Sequence, residues 1–122
     1  MPMGRAATQE LRAAIFGEAA SLVRAECDRG ITADDLARRL GTSPRQVRRV
    51  FAEAGGTTFR AGLLETRMAR AAELLATTEL PVAEIADRVG YSGPSQFTKA
   101  FRRAYDATPS EHRAAAGAKR PS

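Results

Sequence analysis

Residues 36–58 read LARRLGTSPRQVRRVFAEAGGTT, and residues 85–108 read IADRVGYSGPSQFTKAFRRAYDAT. Laid side by side, Leu36-Ala37-Arg38-Arg39-Leu40-Gly41 resembles Ile85-Ala86-Asp87-Arg88-Val89-Gly90 at an offset of 49. One extra residue in the second copy moves the offset to 50, and Pro44, Val47, Phe51 and Thr58 then match Pro94, Phe97, Phe101 and Thr108. Self-similarity of this kind marks a supersecondary unit used twice.

Each copy reads as helix, tight turn, helix. In the first, Thr32 is an N-cap with Asp35 three residues on, a variant of the capping box. Leu36, Ala37 and Leu40 form the apolar side of a short helix that Gly41 ends. Ser43 caps the next helix, and Pro44 at its first position gives up an N–H that would have no partner anyway. Val47, Val50, Phe51 and Ala54 recur at helical spacing as an apolar stripe, and Gly55-Gly56 stops it. The second copy runs from Pro81 to Val89, turns at Gly90, and resumes from Pro94 to Tyr105, with Phe97, Ala100, Phe101 and Ala104 as its expected buried stripe. Two short helices around a glycine turn, the second carrying cations outward, describe a helix-turn-helix.

The surrounding sequence completes an all-α chain of about seven helices. Thr8 to Cys27 is amphipathic, with Leu11, Ile15, Ala19, Leu22 and Val23 on one side, and is expected to buttress the first unit. Phe59 to about Thr77 contains no proline and strong helix formers, with Gly62 its weak position; Leu63, Met68, Ala71, Leu74 and Leu75 supply apolar contacts. Pro109 opens a last short helix to Ala116. The expected organisation is therefore residues 8–58 as the first lobe, 59–78 as a connecting helix, 79–116 as the second lobe, and 117–122 as a disordered tail. At ~1.5 Å per residue, the connector spans roughly 28 Å.

Composition narrows the function. The 122 residues include 19 Lys+Arg against 14 Asp+Glu, one His and one Cys. A single cysteine makes neither an internal disulfide nor a thiolate zinc site. No apolar run approaches the ~18 residues of a transmembrane helix, and Met1 to Gln9 lack the apolar core of a secretion signal. The expected location is the cytoplasm. The positive charge comes in two packets: six cations against one carboxylate in residues 36–60, and six against two in residues 91–122. The intervening stretch is slightly acidic, so the packets coincide with the two repeats and suggest two contact surfaces for a polyanion. A connector of roughly 28 Å approaches one turn of B-DNA, ~34 Å, which would suit successive major grooves.

The faces of the second helix in each unit are separable. Burying Val47, Val50 and Phe51 leaves Arg45, Arg48, Arg49 and Ala52 outward. The repeat carries that stripe to Ser95, Thr98, Lys99 and Arg102. Arginine pairs with guanine O6/N7, and Ser or Thr with either base type, so a G-rich first half-site and a less strictly specified second one are expected. Helix N-termini and flanking cations supply phosphate contacts, for which Thr32, Thr42, Ser43, Arg60, Ser92, Arg102, Arg103 and Thr108 are the candidates.

Taken together, the chain resembles the DNA-binding domain of the AraC/XylS family of bacterial transcription regulators, over roughly Thr8 to Ala116. The most specific part is Ile85-Ala86, Gly90-Tyr91, Gln96-Phe97, Phe101-Arg102, Thr108-Pro109 and Arg113. The sequence departs from the family pattern at Asp106, where Gly is usual, at Phe59, where Pro is frequent, at His112, where Tyr is usual, and at Tyr91, which replaces Phe. The resemblance implies two helix-turn-helix lobes on one long helix, reading an asymmetric site of two half-sites. It implies base contacts from Arg45, Arg48 and Arg49, and adds Gln96 beside Ser95, Thr98 and Lys99. It also implies action on RNA polymerase, as a monomer on DNA or a weak dimer, in a nucleoid-associated protein. Most members carry a further effector or dimerisation domain, so a stand-alone regulator and an excised domain are both consistent.

Other chemistry finds little support. Cys27 reads as a small buried hydrophobe and His112 as a packing residue. With no second His or Cys, neither a metal set nor a nucleophile–base pair assembles, and no cofactor is expected. Asp34-Asp35 belong to a helix cap, and Gly55-Gly56 lack the lysine of a phosphate-binding loop. An enzyme is not expected. Two alternatives remain open: a helical module whose basic faces bind an acidic protein, and the DNA-binding arm of a recombinase.

Overall fold

The computed structural model describes residues 5–118. Seven α-helices follow one another: α1 (Arg5–Glu26), α2 (Ala33–Leu40), α3 (Pro44–Gly55), α4 (Phe59–Thr77), α5 (Val82–Arg88), α6 (Pro94–Tyr105) and α7 (Pro109–Ala118), with one 3₁₀ turn, Cys27–Arg29, after α1. No strand occurs among the described residues. The first helix starts three residues before Thr8 and gives way to the 3₁₀ turn before Cys27. The last helix runs two residues beyond Ala116; what remains of the expected tail, from residue 119, lies outside the described residues, as do residues 1–4.

The caps anticipated from the repeat are built. Thr32 accepts a hydrogen bond from the Asp35 N–H while its own N–H donates to the Asp35 carboxylate, at 3.1 and 2.9 Å. Two N–H groups that the helix itself leaves without partners are thereby satisfied. At the other end of α2, Gly41 adopts φ 69°, and the Thr42 N–H reaches back to the Ala37 carbonyl at 2.8 Å. The second unit reproduces this stop, with Gly90 at φ 91° and Tyr91 N–H on the Ala86 carbonyl at 2.9 Å. A left-handed residue there is what lets the chain reverse into the next helix, and glycine adopts it without a Cβ penalty. The extra residue of the second turn changes the next start. Ser43 caps α3 by accepting from the Gln46 N–H, whereas α6 begins after Gly93 with no side-chain cap.

The chain divides into two units between Leu64 and Glu65, within α4. In the first, Ala19 and Val23 of α1 pack with Ile31, Leu36, Ala37, Val47 and Phe51, and Phe59 and Leu63 close over them. Phe51 is 3% exposed and takes Phe16 and Phe59 edge-on, with ring centroids 5.2 and 5.5 Å away. Gly62 explains itself here: a Cβ on it would stand 3.1 Å from the Phe51 ring. Its missing side chain lets the ring sit close to the helix, at a cost in helix propensity.

In the second unit, Met68, Ala71, Leu74 and Leu75 of α4 pack with Ile85, Ala86, Val89, Phe97 and Phe101. An aromatic run continues from Tyr91 through Phe97 and Phe101 to Tyr105 and His112, so the expectation that His112 packs is met. Each phenylalanine so buried contributes ~1.5–3 kcal/mol. Arg113 of α7 crosses to the end of α4 and donates to three carbonyls: Leu75 at 3.3 Å, Thr78 at 3.2 Å and Leu80 at 2.6 Å.

Three apolar expectations fail. Leu11 is 52% exposed, and Ala54 and Ala104 are exposed although both extend the helical stripe. The two alanines occupy equivalent places in the repeat, about one helical turn beyond Phe51 and Phe101.

Candidate nucleic-acid interface

On α3 the two faces are cleanly divided. Val47, Val50 and Phe51 are buried, and Arg45, Gln46, Arg48, Arg49 and Ala52 are exposed. Arg45 and Arg48 make no ion pair among the described residues. Arg48 and Ala52 border a recess of about 480 Å³ whose wall also includes Thr32, Thr58 and Arg60, over a floor of Ile31, Ala33, Phe59 and Leu63. The structure thus gathers one expected base-reading side chain with two expected phosphate contacts, Thr32 and Arg60, at one place.

Arg49 differs from its neighbours. Its Nε donates to Glu53 Oε1 at 2.9 Å, and the other carboxylate oxygen of Glu53 accepts from Arg12 of α1. The Arg49 hydrogen bond, with the charges of Arg12 and Arg49, holds the Glu53 carboxyl below its ordinary value against an opposing desolvation. Glu53 lies four residues from Arg49, a spacing visible in the sequence. Arg12 lies 41 residues away and only the packing of α1 on α3 brings it there, so sequence reasoning missed it.

On α6, Phe97 and Phe101 are buried; Ser95, Gln96, Lys99, Arg102 and Arg103 are exposed, while Thr98 is half-buried. Lys99 and Arg103 make no ion pair among the described residues, and Arg102 acts on Glu111 through its charge alone. Ser92 is exposed just before Gly93, at the helix start that lacks a side-chain cap.

The remaining phosphate candidates are constrained by their own helices. The N–H of Thr32 is bonded to Asp35, and that of Thr108 to Glu111 at 2.8 Å. These bonds, from backbone first and then from the threonine hydroxyls, pull both carboxyl groups below their usual range. The N–H of Thr42 is taken by Ala37. The hydroxyls of Thr32 and Thr108 thus serve their own carboxylates first, and a phosphate there must compete with Asp35 and Glu111. The hydroxyl of Thr42 stays able to donate, as does that of Ser43, whose oxygen accepts from the Gln46 N–H at 3.2 Å.

Arg38 pairs with Asp35, Arg39 with Glu26, Arg70 with Glu73 and Arg88 with Glu84, and on α3 itself Arg49 pairs with Glu53. Among the described residues, Arg45, Arg48, Arg60, Lys99 and Arg103 make no ion pair, and neither do Arg24 of α1 and Arg29 of the 3₁₀ turn. Exposed pairs contribute little stability, and the exposed cations of α3 and α6 add positive potential along their outward stripes. No described group of His, Cys, Asp and Glu could hold a metal ion, and no described helix is long and apolar enough to cross a membrane.

Comparison with known proteins agrees with this geometry. The family pattern described as a helix-turn-helix domain matches residues 36–115. The chain is similar to the HTH-type transcriptional regulator GlxA of Rhizobium meliloti, 39% identical over 82 residues, 67% of this chain and 25% of that protein. The chain spans about a quarter of the length of the curated relatives it matches. Among solved structures, it superposes on a transcriptional regulator with an AraC-type DNA-binding domain from Chromobacterium violaceum with a TM-score of 0.82 and 32% identity, covering 87% of this chain and 95% of that one. It also superposes on the DNA-binding domain of AdpA, a global transcriptional factor solved in complex with a target DNA, with a TM-score of 0.73 and 29% identity over 90% of this chain and 96% of the other. The chain belongs to the family of AraC-type helix-turn-helix DNA-binding domains.

Proposed function

We propose that this chain regulates transcription by reading double-stranded DNA, with α3 and α6 as its two recognition helices in successive major grooves of an asymmetric promoter site. Arg45, Arg48 and Arg49 take base edges in one half-site, and Ser95, Gln96, Thr98 and Lys99 in the other. Arg60, Arg102 and Arg103 take phosphates, with the hydroxyls of Thr32, Thr42, Ser43, Ser92 and Thr108 beside them. The observation that carries the reading is the same division of faces on two capped or glycine-led helices: Arg45, Arg48 and Arg49 exposed over buried Val47, Val50 and Phe51 on α3, and Ser95, Gln96, Lys99 and Arg102 exposed over buried Phe97 and Phe101 on α6. Long side chains with free guanidinium forks above a buried apolar face are what guanine readout needs. The protein acts in the cytoplasm on nucleoid DNA, as a monomer or weak dimer, and its output is recruitment or obstruction of RNA polymerase.

Footprinting on genomic fragments tests this. The expected result is protection of about two successive major grooves, roughly 20 base pairs, at discrete sites. Arg48→Ala should weaken binding by about 1–3 kcal/mol and relax base choice at one position. Uniform coverage of all fragments, or an Arg48→Ala chain with undiminished selectivity, overturns the reading.

A further inference from the structure

Glu53 is the only carboxylate between residues 36 and 60, and it sits on the recognition helix itself. A negative charge there works against binding any duplex, since phosphates dominate affinity. Its geometry offers a compensating use. Both oxygens are engaged, Oε1 by the Nε of Arg49 at 2.9 Å and Oε2 by a terminal nitrogen of Arg12. Because Arg49 donates through Nε, its two terminal amino groups stay available. Those two groups form the fork that matches O6 and N7 of guanine. The side chain of Arg12 is 29% exposed, so the partner that holds Glu53 is itself lodged between α1 and α3.

We propose that Glu53, fixed by Arg12, is a positioning residue that sets the plane and reach of the Arg49 guanidinium, and so determines specificity in the first half-site. The inference rests on the DNA-reading function proposed above. Without Glu53, Arg49 is free to swing between base edge and phosphate. Two effects of opposite sign follow: loss of a negative charge tightens binding to any duplex, and loss of orientation reduces discrimination. A residue with only an electrostatic or stabilising role would not separate them.

The test measures affinities at one fixed salt concentration for three duplexes: the selected site, that site altered at the position whose preference disappears in Arg49→Ala, and an unrelated sequence. For Glu53→Ala, discrimination between the first two should fall about fivefold or more, while affinity for the unrelated duplex stays level or rises. Glu53→Gln keeps one acceptor for Arg49 and should recover part of the discrimination. Arg12→Ala should lose it in the same direction. Equal tightening on all three duplexes with discrimination intact overturns the inference alone. A wild-type chain that does not discriminate overturns the DNA reading and this inference with it.

Discussion

Arg113→Ala should destabilise the second unit by far more than the loss of an exposed arginine does. The side chain donates to the carbonyls of Leu75, Thr78 and Leu80, which stand at and just beyond the end of α4. Carbonyls there lack the usual partner within the helix; the Thr77 hydroxyl serves that of Glu73, and the Thr78 hydroxyl and N–H serve that of Leu74, which leaves those of Leu75, Thr78 and Leu80 to Arg113. A hydrogen bond from a charged donor contributes ~1.5–3 kcal/mol, and the two longer bonds fall at or below the lower figure. Water regains part of the loss because the site is only partly buried. The expected cost is about 3 kcal/mol, a fall in melting temperature on the order of 10 °C. The assay is convenient: the chain has no Trp and two Tyr, Tyr91 and Tyr105, both in the second unit, so tyrosine fluorescence during denaturation follows that unit. Arg113→Lys keeps the charge but not the fork and should recover at most one bond, leaving most of the deficit. A loss below about 0.5 kcal/mol in Arg113→Ala, or full recovery by lysine, would refute the reasoning.

Further outcomes are expected. Phe51→Ala should cost about 3–5 kcal/mol, because its ring fills the space between Phe16 and Phe59; circular dichroism during urea titration measures it. Asp106 ends α6 at φ 55°, so Asp106→Gly should stabilise by about 0.5–1 kcal/mol, seen as a higher melting temperature, while a β-branched residue there should lower it. Asp35 and Glu111 have folded-state pKa values below their ordinary 3.8 and 4.5. Their contribution is therefore complete above those ordinary values and lost as pH falls through the lower folded values. Melts between about pH 6 and about pH 2.5 should show that loss, and Thr108→Val should make it shallower.

The repeat made most of the fold legible. Thr32 with Asp35, Gly41, Ser43 with Pro44, and Gly90 are local signals, each acting within a turn or two, and the structure places a cap or a reversal at each. Periodicity also identified Val47, Val50, Phe51, Phe97 and Phe101 as core. It overreached at Ala54 and Ala104, because periodicity says which side of a helix an apolar residue lies on, not whether a neighbouring side chain covers it. The outward position of Arg45, Arg48 and Arg49 followed from the same periodicity. The grip of Glu53 and Arg12 on Arg49 did not, since it depends on how α1 crosses α3. Likewise, the sequence marks Arg113 as notable, but its three carbonyl partners on and after α4 emerge only from the tertiary arrangement.

The most direct test is the ratio of affinities for a duplex selected from a random pool and for its scrambled counterpart, followed from 50 to 200 mM salt, a range over which counterion release weakens any cationic protein on DNA by roughly 10³–10⁵. Both affinities should fall with salt while the selected duplex stays tighter by about 10³ or more. A ratio near one at every salt concentration would contradict it, since cations that bind without regard to sequence describe a surface for polyanions in general.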